Sequence, residues 1–201
     1  MRPKELKFIY AGFLVFFFYI IIYSLRQGDG HYIFGTIKFI IFATLFYWLF
    51  NKINLNVLIF TGLGIAMVLH SMGRFGFFNK TVAGIPWDVL THFISSFFTA
   101  LALFKFLEKS NISYGRQLFI VMMSGIGIAT LGEFLEFFGA IRTPDGQGLL
   151  GTEAKGSPVE WLSPDYWDTM KDLVMNTLGI ITGIISLHLY NNLKKSRVTK
   201  K

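Results

Sequence analysis

The sequence predicts an all-α fold, a polytopic membrane bundle of six transmembrane helices, and three observations predict it. Hydrophobic residues make up 53% of the chain and charged residues only 15%. Mean hydropathy is +0.51, and a soluble domain carries more charge than this to cover its surface. Six long apolar stretches recur along 201 residues, and most of the lysines and arginines fall at their ends. The 23 Phe and 20 Gly suit such a bundle: glycine lets helices approach closely, and aromatic rings face lipid or the headgroup zone. Without cysteine the chain has no disulfide, no Cys-ligated zinc and no thiol nucleophile. Its net charge of +7 lies at helix ends rather than in a patch on a soluble face, so the membrane accounts for it and no nucleic-acid partner is expected.

In chain order, the predicted spans are Phe8 to Leu25, Ile33 to Phe50, Ile53 to Met72, Asp88 to Leu107, Leu118 to Phe138 and Asp168 to Tyr190. Each holds about 18–23 residues, enough to cross a ~30 Å hydrocarbon core at about 1.5 Å per residue. The first begins after Arg2, Lys4 and Lys7, as a signal peptide does. Its apolar run is too long for one, and no small-residue cleavage site precedes Arg26, so it is expected to be retained. The chain divides into an N-terminal hairpin, residues 1–56, and a four-helix core, residues 57–201. The core carries a long outer connection, 139–167, and a basic tail from Lys194. The tail suits anionic lipid at an inner leaflet.

Orientation follows from the cations. With the N-terminus inside, the inner segments hold Arg2, Lys4, Lys7, Lys52, Lys105, Lys109, Arg116, Lys194, Lys195, Arg197, Lys200 and Lys201. The outer segments hold Arg26, Arg74, Lys80, Arg142 and Lys155, so twelve stand against five. Lys38 and Lys171 fall inside helices near their outer ends, within snorkelling reach of water. The expectation is a cytoplasmic (inner) membrane protein with both termini cytoplasmic.

The third and fifth stretches share a pattern. Gly62-Leu63-Gly64-Ile65-Ala66 is followed by His70 and closes on Phe75-Gly76; Gly125-Ile126-Gly127-Ile128-Ala129 is followed by Glu133 and closes on Phe138-Gly139. Trp87-Asp88-x-x-x-His92 and Trp167-Asp168-x-x-x-Asp172 then open the fourth and sixth. This predicts a tandem repeat of the helix hairpins 3–4 and 5–6, related by an axis along the membrane normal. Gly pairs and interfacial Trp-Asp starts also occur in membrane helices without duplication.

Ionisable side chains inside a bilayer are expensive, so they face one another or a watered cavity. Read with one orientation, the helix ends bring His70, Arg74, Asp88, His92, Glu133, Glu136, Asp168 and Asp172 to one depth in the outer leaflet, with Asn176 a turn deeper. Asp88/His92, Asp168/Asp172 and Asp172/Asn176 are i,i+4 pairs and Glu133/Glu136 is i,i+3, so each pair shares a helix face. Carboxylates and an imidazole converging from three helices are how a bundle builds a hard-metal site. The candidate ligands are Asp88, His92, Glu133, Glu136, Asp168 and Asp172, and the candidate acid/base groups are His92, Asp172 and Glu133. Arg74, Lys171 and Asn176 are the candidate substrate contacts. The cofactor stays open, a divalent metal being compatible with the set. Asp88 and Asp168 also suit a plain helix first turn, where the dipole favours carboxylates. His31 reads as a solvated loop residue and His188 as an interfacial one. Phosphate-loop, HExxH and G-x-S-x-G motifs are absent from the sequence.

Asp88-x-x-x-His92-Phe93, Glu133-x-x-Glu136, Leu150-Gly151-Thr152, Trp167-Asp168-Thr169-x-x-Asp172 and Asn176-x-x-Gly179 together resemble the YjdF-like inner-membrane family, whose activity is unassigned. The ordered set of Asp88 with His92-Phe93, then Glu133, then Asp172-x-x-x-Asn176-Thr177-x-Gly179 resembles, more distantly, the VanZ-like proteins associated with glycopeptide resistance. Those proteins carry a Gln in the middle motif where this chain has a second Glu. The likeness covers the third to sixth helices, about 130 residues, and implies only a polypeptide of unknown activity at the cell envelope. Three functions compete: a metal-dependent enzyme acting on a lipid or lipid-linked substrate, a transporter or ion-binding protein, and a non-catalytic envelope or stress-resistance protein. Partners beyond the lipid bilayer, and the oligomeric state, are not legible in the sequence.

Overall fold

The computed structural model describes residues 3–28, 30–142 and 164–198; the side chains of 31, 136–142, 164–165 and 194–198 lie outside the described set. The expected sites at Glu136 and His31 therefore fall outside the described side chains, and most of the 139–167 connection lies outside the described residues. Six α-helices follow one another: α1 (Lys4–Arg26), α2 (Gly30–Leu49), α3 (Val57–Ser71), α4 (Trp87–Leu107), α5 (Tyr114–Arg142) and α6 (Pro164–Val198). Each is long and apolar enough to cross a membrane, α3 when extended by the 3₁₀ turn to Phe75. Phe8, Phe34 and Leu58, respectively 78%, 77% and 72% exposed, would sit in water at a steep cost and in lipid at none.

The boundaries that differ from hydropathy do so for local reasons. Ile53 lies before α3 rather than in it, because Asn54 adopts a left-handed φ of 55°. Asn56 then caps the helix, its Oδ1 accepting from the Ile59 amide at 2.7 Å. Beyond α3 the chain tightens into the 3₁₀ turn Met72–Phe75 and leaves it through Gly76 at φ 77°. A two-stranded ribbon follows, β1 (Thr81–Val82) antiparallel to β2 (Ile85–Pro86). Ala83 and Gly84 turn it with φ of 52° and 82°, the pair of positive values a type I′ turn needs. The amide of Trp87 donates to the Lys80 carbonyl at 2.9 Å, and its indole Nε1 donates to the Leu69 carbonyl at 2.9 Å. The start of α4 is thus tied to the end of α3. α6 continues past Tyr190 into the basic tail, where Asn, Leu, Lys and Arg end the hydropathy but not the helix.

Packing separates into two cores. Leu6, Phe17, Phe60 and Leu63 centre one among α1, α2 and α3, and Ala100, Phe104, Val121 and Ile180 centre the other among α4, α5 and α6. Glycine sets the tightest crossing. A Cβ on Gly179 would lie 2.4 Å from the Phe93 carbonyl oxygen, and one on Gly183 would lie 2.9 Å from Ala100 Cβ. The Gly179-x-x-x-Gly183 face of α6 therefore rests directly on the backbone of α4, the small-residue packing of membrane helices. This seam fixes where the polar residues of α4 and α6 meet.

Candidate functional site

One turn above that seam the two helices place polar side chains against each other. Asp88 and His92 share a face of α4; Asp172 and Asn176 share a face of α6; Glu133 enters from α5. All five are buried, Asp172 to 1% exposure. His92 stands at the centre. Its Nε2 lies 3.4 Å from Asp88 Oδ1 and 3.6 Å from Asp172 Oδ2, and its Nδ1 lies 3.3 Å from Glu133 Oε1. Asn176 Nδ2 donates to Glu133 Oε1 at 2.9 Å and sits 3.2 Å from His92 Nδ1. Ser96 Oγ donates to Asn176 Oδ1 at 2.6 Å, closing the network at its deep end.

Lys171 closes the other end. Its Nζ donates to Asp168 Oδ1 at 2.7 Å and to Asp88 Oδ2 at 2.9 Å, and lies 3.7 Å from Asp172 Oδ1. Lys171 and Asp168 are about a quarter exposed at the side chain, so they form the rim above the buried residues. In low dielectric one ammonium among three carboxylates is strongly held.

The imidazole can carry a single proton on either nitrogen. With the proton on Nδ1 it faces the Glu133 carboxylate, which orients the ring, and Nε2 presents a lone pair toward Asp88 and Asp172. Nε2, Asp88 Oδ1 and Asp172 Oδ1 are all buried without a hydrogen-bond partner. Unsatisfied buried polar atoms are rare and costly, and these three belong to one cluster. Asp88, His92 and Asp172 offer donor atoms within 4.8 Å of one another. Two of the edges, 3.4 and 3.6 Å, are close to the donor–donor separation of about 3.4 Å that tetrahedral ligation at about 2.1 Å requires.

Of the residues singled out in the sequence, Asp88, His92, Glu133, Asp172 and Asn176 are brought together, with Lys171 and Asp168 above them. His70 stands one layer aside. Its ring lies 6.1 Å from that of His92, edge-on to Phe39 and Phe78, and its Nε2 is buried without a partner. Arg74 is turned toward the first hairpin: Nε donates to Ser24 Oγ at 3.3 Å and the guanidinium lies over Tyr23 and Tyr32. His188 is stacked on Tyr114 at the far end of the bundle. Ser96 was not foreseen. Its signal is the position one turn beyond His92 on the same face of α4, where a small hydroxyl meets a facing amide.

The chain matches the family described as a predicted membrane protein (DUF2238) over residues 6–193 and belongs to it. No curated protein and no solved structure matches it.

Proposed function

We propose that this member of the family is a metal-dependent enzyme of the cytoplasmic membrane, acting at the outer leaflet on a lipid or lipid-linked substrate. The observation that carries the reading is the buried trio Asp88, His92 and Asp172, whose donor atoms lie within 4.8 Å of one another, with Asp88 Oδ1, His92 Nε2 and, on the Lys171 side, Asp172 Oδ1 lacking a hydrogen-bond partner. Asp88, His92 and Asp172 would hold a divalent cation there, three protein ligands being the number that a catalytic rather than a structural site supplies. Glu133, held by Asn176, which Ser96 holds in turn, fixes the His92 ring from behind, as outer-shell carboxylates do for ligating histidines. Once bound, the cation supplies Lewis acidity: it activates water or neutralises a phosphoryl oxygen. The protein's share is to keep the cavity dry, to orient His92 and to hold Lys171 at the rim, where an anionic group arrives. In this reading Glu136, three residues after Glu133 in the sequence, supplies a further carboxylate. The YjdF-like resemblance agrees with the family match; a VanZ-like role in resistance gains no support from the residues.

Metal analysis of detergent-purified protein tests it. Wild type should retain close to one equivalent of Zn²⁺ or Mn²⁺ after dialysis (about one, from a single three-ligand site), and His92→Ala and Asp172→Asn should lose it while eluting as folded protein. Wild type that binds neither ion would sink the reading.

The tandem-repeat reading also has support. Gly62 of α3 meets Phe98 of α4, and Gly125 of α5 meets Ile180 of α6, so the first glycine of each pair packs on the following helix. Gly64 meets Phe13 of α1 whereas Gly127 meets nothing within 4 Å, as expected if the first hairpin covers only one copy. Superposing α3–α4 on α5–α6 should bring Gly64 onto Gly127 and Asp88 onto Asp168.

A further inference from the structure

We infer that Lys171 is a tethered cation that opposes the metal ion, and that loading the ion releases its ammonium to bind a phosphate group; this rests on the metal reading above. Asp88 and Asp172 each turn one oxygen toward His92 and the other toward Lys171: Oδ1 and Oδ2 of Asp88 lie 3.4 Å from His92 Nε2 and 2.9 Å from Lys171 Nζ. For Asp172 the corresponding distances are 3.6 Å from Oδ2 and 3.7 Å from Oδ1. A divalent ion held by the His92-facing oxygens therefore shares both carboxylates with the ammonium. It draws their charge away from Lys171 and repels it across a few ångströms of low dielectric.

Lys171 has somewhere to go. Asp168 lies one turn away on the same helix, holds Nζ at 2.7 Å and is partly exposed. Letting go of Asp88 while keeping the Asp168 contact costs a rotamer change rather than a helix movement and turns the ammonium outward from the carboxylate cluster at the rim. There it is a point charge with unused donors, suited to a phosphoryl oxygen. Anion recognition thereby becomes conditional on metal, so that phosphate is bound only beside a loaded centre.

The two rim residues give opposite signs. By calorimetric titration with Zn²⁺ and Mn²⁺ in neutral detergent, Lys171→Met should bind the ion about tenfold tighter or more than wild type, because it lacks the opposing charge. Lys171→Arg, which keeps the charge, should stay near wild type. Asp168→Asn removes the outward anchor and should weaken metal binding. An ion-pair network with a purely structural role predicts the reverse for Lys171→Met, weaker binding in a less stable protein. Inorganic phosphate should then bind metal-loaded wild type but not the metal-free protein or loaded Lys171→Met. Repeating this in nanodiscs with and without phosphatidic acid identifies the source: competition by the lipid marks a headgroup, and its absence a soluble phosphate. Unchanged or weaker metal binding by folded Lys171→Met, or phosphate binding that survives in it, overturns the inference and leaves the metal site standing. No metal binding by wild type or Lys171→Met overturns both.

Discussion

Gly179→Ala should separate the α4–α6 seam and damage the polar cluster without touching it. The added Cβ would lie 2.4 Å from the Phe93 carbonyl oxygen, 3.0 Å from Ser96 Cβ and 3.1 Å from the Phe97 amide nitrogen. Ordinary contact begins near 3.4 Å, so relief requires a local parting of about 1 Å between two backbones, and no flexible side chain is available to absorb it. Overpacking of this kind costs about 1–3 kcal/mol. Ser96 donates to Asn176 at 2.6 Å across the same seam, and a 1 Å parting, about the size of the clash, takes that bond out of range. The matched control is Gly127→Ala. It meets nothing within 4 Å and lies within α5, where alanine is favoured over glycine by up to about 1 kcal/mol. Thermal unfolding in detergent, read by size exclusion, should place Gly179→Ala below wild type and Gly127→Ala at or above it, and only the former should lose metal affinity. Equal melting temperatures and equal metal binding for the two variants would refute the close-packed seam.

Asn176→Leu should be costly even though it adds apolar volume. It strands Ser96 Oγ, a loss of about 1–3 kcal/mol for a buried unsatisfied group, leaves Glu133 Oε1 with His92 Nδ1 alone, and should lower metal affinity by about 10–100-fold through the loosened His92 ring. A variant as stable as wild type with unchanged metal content would remove Asn176 from the site. For topology, reporter fusions should place Gly148 outside and Lys201 in the cytoplasm; an external C-terminus would reverse the charge argument and move the site to the inner leaflet. Should liposomes containing the protein conduct or exchange ions through this cluster, with no turnover of any phospholipid, the transporter reading would replace the enzyme.

Much of this was legible because the membrane makes the sequence strict. Hydropathy marks all six helices, and where it fails the cause is local. Asn54 interrupts an apolar run by taking a left-handed φ, a tertiary choice that no hydropathy window registers. The tail of α6 is polar by composition and helical by propensity. The site was legible because i,i+4 spacing fixes a shared face, and charge in lipid has nowhere else to turn. Direction was less so. Arg74 sits at the same depth as the acids, yet Tyr23, Tyr32 and Ser24 of the first hairpin hold it. Sequence spacing within α3 says nothing about which neighbour α3 meets on that side. Gly183 escaped notice for the same reason, since its partner is the backbone of α4.

The seam and the site are one construction. Gly179 and Gly183 bring α6 onto α4 closely enough that Ser96 and Asn176, one on each helix, are in hydrogen-bond contact. Lipid offers no hydrophobic drive for that approach; backbone contact and interhelical hydrogen bonds must supply it. Beside that approach Asp88 Oδ1, His92 Nε2 and Asp172 Oδ1 are buried without a hydrogen-bond partner. A bundle needing only stability would fill these positions with apolar side chains of similar size, commonly at no loss. Keeping four carboxylates, an imidazole and one lysine at this crossing agrees with the proposed metal site, and on that proposal the stability of the seam and the affinity of the site rise and fall together.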